Sequence, residues 1–154
     1  MASLYVVRHA HAGTRGDWDG PDDERPLSER GWRQARALAT SLADVGAARL
    51  VSSPYRRCVQ TLEPLAGALG LVVETDERLA EGTGASPSLA LAEELRAETA
   101  VVCSHGDVIP DLLEALVHRG LELQDPARWP KASTWVLTRD EHGFVKGWFV
   151  PPPA

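Results

Sequence analysis

A chain of 154 residues that is 44% hydrophobic and 25% charged has the length and composition of one globular domain with a real core, which excludes a disordered or fibrous protein. Sixteen Lys and Arg against 22 Asp and Glu give a formal net charge of −6, and without a dense basic block the chain is not built as a general nucleic-acid or anionic-membrane surface. The apolar run after Met1 ends at Arg8, too short for a signal peptide, and nothing later approaches the roughly 18 apolar residues of a membrane span, so cytoplasm is the expected location.

The first element is an alternating, β-branched strand in "LYVVRHAHAG" that stops at Arg8 and His9. The Gly-, Asp- and Pro-rich stretch "GTRGDWDGPDDERPLS" then reads as a long exposed loop, of the kind that borders functional sites. Ser28 caps a first helix with Ala35, Leu38, Ala39, Leu42 and Val45 at helical spacing and Gly46 as its stop. "RLVSS" is a second strand. Pro54 opens a second helix with the stripe Cys58, Leu62, Leu65 and Leu69 and a stop at Gly70. "LVVET" is strand three, "EGTGASP" a loop, and Ser86-Pro87 open a third helix carrying Leu89, Ala92 and Leu95. "TAVVCS" reads as the most buried strand. Asp107 caps a fourth helix with Ile109, Leu112, Leu113, Leu116 and Val117, ending at Gly120. "STWVLT" and "GFVKGWFV" form a hairpin across "RDEHG", and "PPPA" is a frayed tail. Residues 1–150 therefore form one α/β domain, with 151–154 outside it. The expected architecture is a three-layer sandwich with a mostly parallel central sheet, helices on both faces, right-handed crossovers and a hairpin at one edge.

In a parallel sheet the residues following each strand share one edge, where open α/β folds bind ligands. Here those residues are Arg8-His9, Ser53 to Arg57, Glu81, and Ser104-His105-Gly106. Two guanidiniums side by side repel unless a dianion lies between them, and their fork of donors matches phosphate oxygens. The N-termini of helices two and four begin at the same edge and favour an anion. An imidazole with one free nitrogen is a good nucleophile toward phosphorus, the second His and the arginines can spread transition-state charge, and a carboxylic acid such as Glu81 can protonate the leaving oxygen. Arg15, Arg25 and Gly106 extend the candidate substrate contacts. No Gly-rich Lys loop of the nucleoside-triphosphate type is present. Cys58 and Cys103 read as buried small hydrophobes in a reducing compartment; a cysteine-dependent phosphatase needs an arginine six positions after its nucleophile, and those positions hold Pro64 and Ile109.

The blocks "VVRHA", "VSSPYRRCVQT", "RLAE" and "VVCSHGD" resemble, in order, the four signature blocks of the histidine phosphatase superfamily, whose fold is phosphoglycerate mutase-like. That resemblance implies a phosphorylated nucleophile at His9, a phosphoryl grip by Arg8 and Arg57, assistance from His105 and a proton donor at Glu81. Arg57 rather than Arg56 matches the second block, because it directly precedes the small residue Cys58. Within the superfamily "ERPLSERG" and "SSPYRRCVQTLEPL" are similar to SixA-type phosphohistidine phosphatases, and "VIPDLLEAL" and "KASTWVLT" to the phosphatase-like half found behind Nudix hydrolase domains. Ala10 departs from the usual Arg-His-Gly, and Glu81 stands where SixA-type sequences tend to lack the acid, which tilts the substrate toward phosphate esters as well as phosphohistidine.

The expectation is a metal-independent, cofactor-free phosphatase acting on a phosphorylated small molecule or a phosphohistidine protein. Its competitors are a silent phosphate- or phosphoprotein-binding module on the same fold and a phosphomutase, the latter disfavoured by the short chain. His9-x-His11 also permits a metal reading, but further ligands at matching spacing are not evident, and His11 reads as a supporting loop residue.

Overall fold

The computed structural model describes residues 2–153. Among the described residues seven strands form one sheet, in the order β3 (Val73–Thr75), β2 (Arg49–Ser52), β4 (Ala100–Ser104), β1 (Ser3–Arg8), β6 (Thr134–Asp140), β7 (Gly143–Val150) and β5 (Glu122–Leu123). The strands β1 (Ser3–Arg8), β2 (Arg49–Ser52), β3 (Val73–Thr75) and β4 (Ala100–Ser104) are mutually parallel, as the alternation with helices requires. Their carboxyl ends share one edge, and this is what assembles the site. β6 (Thr134–Asp140) pairs antiparallel with β1 and with β7 (Gly143–Val150).

The period-two pattern of the strands divides the core. Leu4, Val6, Val51 and Val102 face helices α3 (Ala85–Glu94) and α4 (Val108–Val117), whose Leu91, Ala92, Ile109, Leu112, Leu113 and Leu116 cover that side. Val7, Leu50, Val101 and Cys103 face α1 (Glu29–Leu42) and α2 (Arg56–Leu69), which contribute Ala35, Leu38, Cys58, Leu62 and Leu65. β4 is buried along its whole length because both faces are covered.

Local chemistry explains most element ends. Ser28 Oγ accepts from Gly31 N at 3.0 Å and caps α1. Gly70 closes α2 with φ 67°, and Leu71 N bonds back to Ala66 O; this wrap shortens the third strand to three residues and leaves Val72 exposed. Pro54 precedes α2 rather than starting it, with Tyr55 at the N-cap. α3 begins at Ala85, one residue before the expected Ser86-Pro87 start, after a Gly84 at φ 81°. Asp107 flanks α4 without capping it; its carboxylate is drawn to another loop. The hairpin turn narrows to Glu141-His142 because pairing continues through Arg139 and Asp140 across a register shift. The hairpin is also not the outermost piece: β5 (Glu122–Leu123), which no periodicity announced, pairs with β7 beyond it. Pro151–Pro153 carry no regular structure, yet Pro152 and Pro153 are half-buried, and position 154 lies outside the described residues. Among the described residues no helix is long and apolar enough to cross a membrane.

Candidate active site

β1 delivers Arg8 and His9 to the carboxyl edge. Arg8 N donates to Ser133 O and His9 N to Ser104 O, so the strand exit is bonded on both sides. The His9 ring is buried, and its Nδ1–H donates to the Ala10 carbonyl at 2.8 Å, which leaves the lone pair on Nε2. Ala10 N in turn donates to Thr61 Oγ1 on α2. Burial first, then the charges of His105, Arg57 and Arg8, push the His9 pKa down to about 3. The imidazole is therefore neutral across the physiological range.

β4 delivers His105, whose ring centroid lies 5.5 Å from that of His9 in an edge-on arrangement. Ser53 Oγ, which accepts from Tyr55 N, lies 2.8 Å from His105 Nε2; with the Ser53 hydroxyl as donor to Nε2, the ring proton sits on Nδ1. Cys58 Sγ approaches the same Nε2 at 3.6 Å, and the Tyr55 ring packs against His105 at 4.7 Å.

The two arginines flank this pair. Arg8 Nη1 donates to Trp129 O at 3.0 Å, and the guanidinium lies so close over Gly106 that a Cβ there would come within 2.8 Å of Cζ. Burial, with Arg57 adding to it, lowers the Arg8 pKa while leaving it charged. Arg57, in the first turn of α2, is buried and donates to Asp22 O (2.8 Å), Asp22 Oδ2 (3.1 Å) and Glu81 Oε1 (3.2 Å). Glu81 also lies 3.7 Å from His105 Nδ1 and 3.4 Å from Arg15 Nη2. Arg8 Nε, Arg57 Nε and His105 Nδ1 are all shielded from solvent and have no hydrogen-bond partner among the described residues. Beside them opens a cleft of about 530 Å³ lined by Arg8, Arg15, Tyr55, Glu81, Gly82, Gly106 and Asp107.

Thus Arg8, His9, Arg57, Glu81, His105, Gly106 and Arg15 come together as the sequence led us to expect. Arg25 does not. Its guanidinium is spent on Ala12 O (2.6 Å) and on Asp22 Oδ1 (3.1 Å), bracing the loop behind the cleft. His11 turns to Ser28 Oγ at 2.7 Å, away from any shared site with His9. Among the described residues no three His, Cys, Asp or Glu side chains gather as a metal-ligating group. Sequence reasoning missed Asp22, and it placed Ser53 and Tyr55 at this edge without giving either a role. The acidic, Pro- and Gly-bearing loop and the strand-end "SSPYRR" were the available signals, but neither says which side chain turns inward.

The neutral His9 has a consequence for stability. Its folded pKa lies below the unfolded value, so between about pH 6.5 and pH 3 the unfolded chain binds a proton that the folded one refuses, and stability falls as pH falls. Urea unfolding of the wild type should lose up to about 1.4 kcal/mol per pH unit more than His9→Asn below about pH 6.5. Parallel pH dependences for the two proteins would show that His9 is not held neutral.

A family model described as the histidine phosphatase superfamily (branch 1) matches residues 4–86, and the chain belongs to that superfamily. An 8-oxo-(d)GTP phosphatase of Mycolicibacterium smegmatis is 35% identical over 156 residues, covering 98% of this chain and 48% of that protein. The chain therefore spans about half the length of that relative. Among solved structures, the protein histidine phosphatase SixA complexed with tungstate superposes with a TM-score of 0.74 at 25% identity, covering 97% of this chain and 94% of that one. A mycobacterial glucosyl-3-phosphoglycerate phosphatase in complex with VO3 shares the fold, with a TM-score of 0.75 at 22% identity and 100% coverage of both chains.

Proposed function

We propose that this chain is a phosphatase that hydrolyses phosphohistidine or small phosphomonoesters through a covalent phosphohistidine on His9. The observation that carries the reading is the convergence of three buried, unpartnered donors, Arg8 Nε, Arg57 Nε and His105 Nδ1, around an imidazole. The hydrogen bond to Ala10 O leaves the His9 lone pair on Nε2. Leaving a buried donor unsatisfied costs about 1–3 kcal/mol each, and a tetrahedral oxyanion would satisfy all three. The tungstate in the SixA relative, a phosphate-like oxyanion, supports the same reading.

His9 Nε2 attacks phosphorus as the bond to the leaving atom breaks; an ester's leaving oxygen takes its proton from the Glu81 carboxyl, whereas the imidazole nitrogen of a phosphohistidine leaves with the bonding pair and needs little help from an acid. Arg8, Arg57 and His105 meet the charge on the equatorial oxygens. Water then attacks phosphorus from the vacated side and gives a proton to the Glu81 carboxylate, the N–P bond breaks with its electron pair returning to Nε2, and His9 and the Glu81 acid are regenerated with release of inorganic phosphate. No metal or cofactor is invoked. The substrate is a phosphorylated small molecule or a phosphohistidine protein, and the two buried thiols suit a reducing, cytoplasmic setting. The name of the mycolicibacterial relative makes nucleotides one arm of the test.

The test compares phosphohistidine peptide, aryl and alkyl phosphates and nucleotides in the presence of a chelator, for wild type and Glu81→Gln. The variant should lose about a hundredfold on alkyl phosphates, whose alkoxide must be protonated, and only a few-fold on phosphohistidine. Uniform slowing would remove Glu81 from the acid's role. Phosphate binding without any turnover would leave the chain a binding module, and phosphoryl transfer to a second alcohol in preference to water would make it a mutase.

A further inference from the structure

Asp22 opens a 3-10 turn (Asp22–Glu24) in the long loop after β1, and three arginines share its carboxylate. Oδ1 meets Arg25 Nε at 3.1 Å and Arg15 Nε at 3.2 Å, and Oδ2 meets Arg57 Nη2 at 3.1 Å. Its main-chain carbonyl accepts a hydrogen bond from Arg57 Nη1 at 2.8 Å, and Glu81 Oε1 accepts one from the other N–H of Nη2 at 3.2 Å. The buried Arg57 is therefore held along its Nη side, and the donors left over are Nε and one proton of Nη1. Arg25 carries the tie onward to the Ala12 carbonyl, three residues beyond His9. One carboxylate links the loop, the strand exit bearing His9 and the helix bearing Arg57.

We propose that Asp22 is a positioning residue for phosphoryl capture: it fixes which edge of Arg57 meets the anion, and thereby sets the pocket's affinity for a tetrahedral oxyanion. The proposal rests on the phosphoryl-pocket reading above. A guanidinium already held by its far edge loses no orientational freedom when the anion arrives, and its donors need no reorganisation. Burial opposes ionisation of Asp22, but the contacts with Arg25, Arg57 and Arg15 outweigh it and keep the carboxyl below its ordinary range, so it remains a fixed anion at neutral pH. Bare Coulomb attraction predicts the opposite sign, since removing a negative charge should tighten phosphate binding.

Calorimetric titration with inorganic phosphate separates the two. Asp22→Asn should bind phosphate about tenfold more weakly, whereas Asp23→Asn, the same charge change at an exposed position on the same turn, should stay within about twofold. In an Arg57→Lys background Asp22→Asn should matter less than about twofold, because an ammonium has no edge to orient. Asp22→Glu keeps the charge but displaces it by one methylene, and it should also weaken binding; this variant decides the matter if Asp22→Asn proves unstable. Unchanged or tighter phosphate binding in Asp22→Asn, or an equal tenfold loss in the Arg57→Lys background, overturns the proposal. A wild type that binds no phosphate overturns the pocket reading itself, which is a separate result.

Discussion

Replacing His9 with alanine is expected to lower turnover of an aryl phosphate by at least about a thousandfold, in the presence of a chelator, while phosphate affinity stays within about tenfold of the wild type. The two effects separate because the groups differ in job. Arg8, Arg57 and His105 supply the buried donors, and each is anchored independently of the His9 ring: Arg8 on Trp129 O, Arg57 on Asp22, and His105 on Ser53. In the proposed mechanism, removing the imidazole leaves the grip and deletes the nucleophile. Water would then have to attack a phosphate monoester directly, without the two-step route that a covalent intermediate provides. Wild type quenched during turnover of radiolabelled substrate should carry acid-labile phosphate on protein, and His9→Ala none. Equal rates for the two proteins would end the covalent mechanism.

Gly31→Ala should destabilise the fold by about 2–3 kcal/mol and cut activity with it. A glycine inside a helix ordinarily invites the reverse, since alanine gains up to about 1 kcal/mol there. Gly31 is different because its missing Cβ makes room for the His11 carbonyl: a Cβ built on it would overlap that oxygen. The same carbonyl accepts from Ser28 N and Ser28 Oγ, and the Ser28 hydroxyl caps α1 through Gly31 N. The start of α1 is thereby clamped onto the segment two residues after His9, and pushing it away drags the strand exit along. Gly67, exposed on α2 with nothing near its absent Cβ, gives the contrast: Gly67→Ala should stabilise by about 0.4–1 kcal/mol. Urea unfolding of both variants reads the difference, and a neutral or stabilised Gly31→Ala would mean that the clamp does not hold.

Much of this molecule can be read in its one-dimensional pattern, and the residues that cannot share a property. That Arg8, His9, Arg57 and His105 lie together is legible because each follows a strand whose apolar pattern is plain, and parallel strands joined by helices place their carboxyl ends on one edge whatever the side chains are. Asp22 could not be singled out, because it stands beside Asp23 and Glu24 in an irregular loop where no period says which carboxylate turns inward. Asp107 had the chemistry of a helix cap, yet its carboxylate instead accepts from Gly82 N at 2.8 Å, since the Glu81 loop is brought within reach. Arg25 had the chemistry of a phosphate ligand and became a brace, because the main-chain carbonyls of Ala12 and Gly13 lie within hydrogen-bond reach of its guanidinium.

The sequence by itself determined the order of elements, the two apolar faces of the sheet and the edge at which polar chemistry would collect, because these follow from local periodicity and the handedness of crossovers. Only the tertiary structure decided how each polar side chain at that edge is spent. A guanidinium or carboxylate bonds to whichever partner the folded backbone brings within about 3 Å, and partners such as Trp129 O for Arg8, Asp22 for Arg57 and Gly82 N for Asp107 are 121, 35 and 25 residues away along the chain.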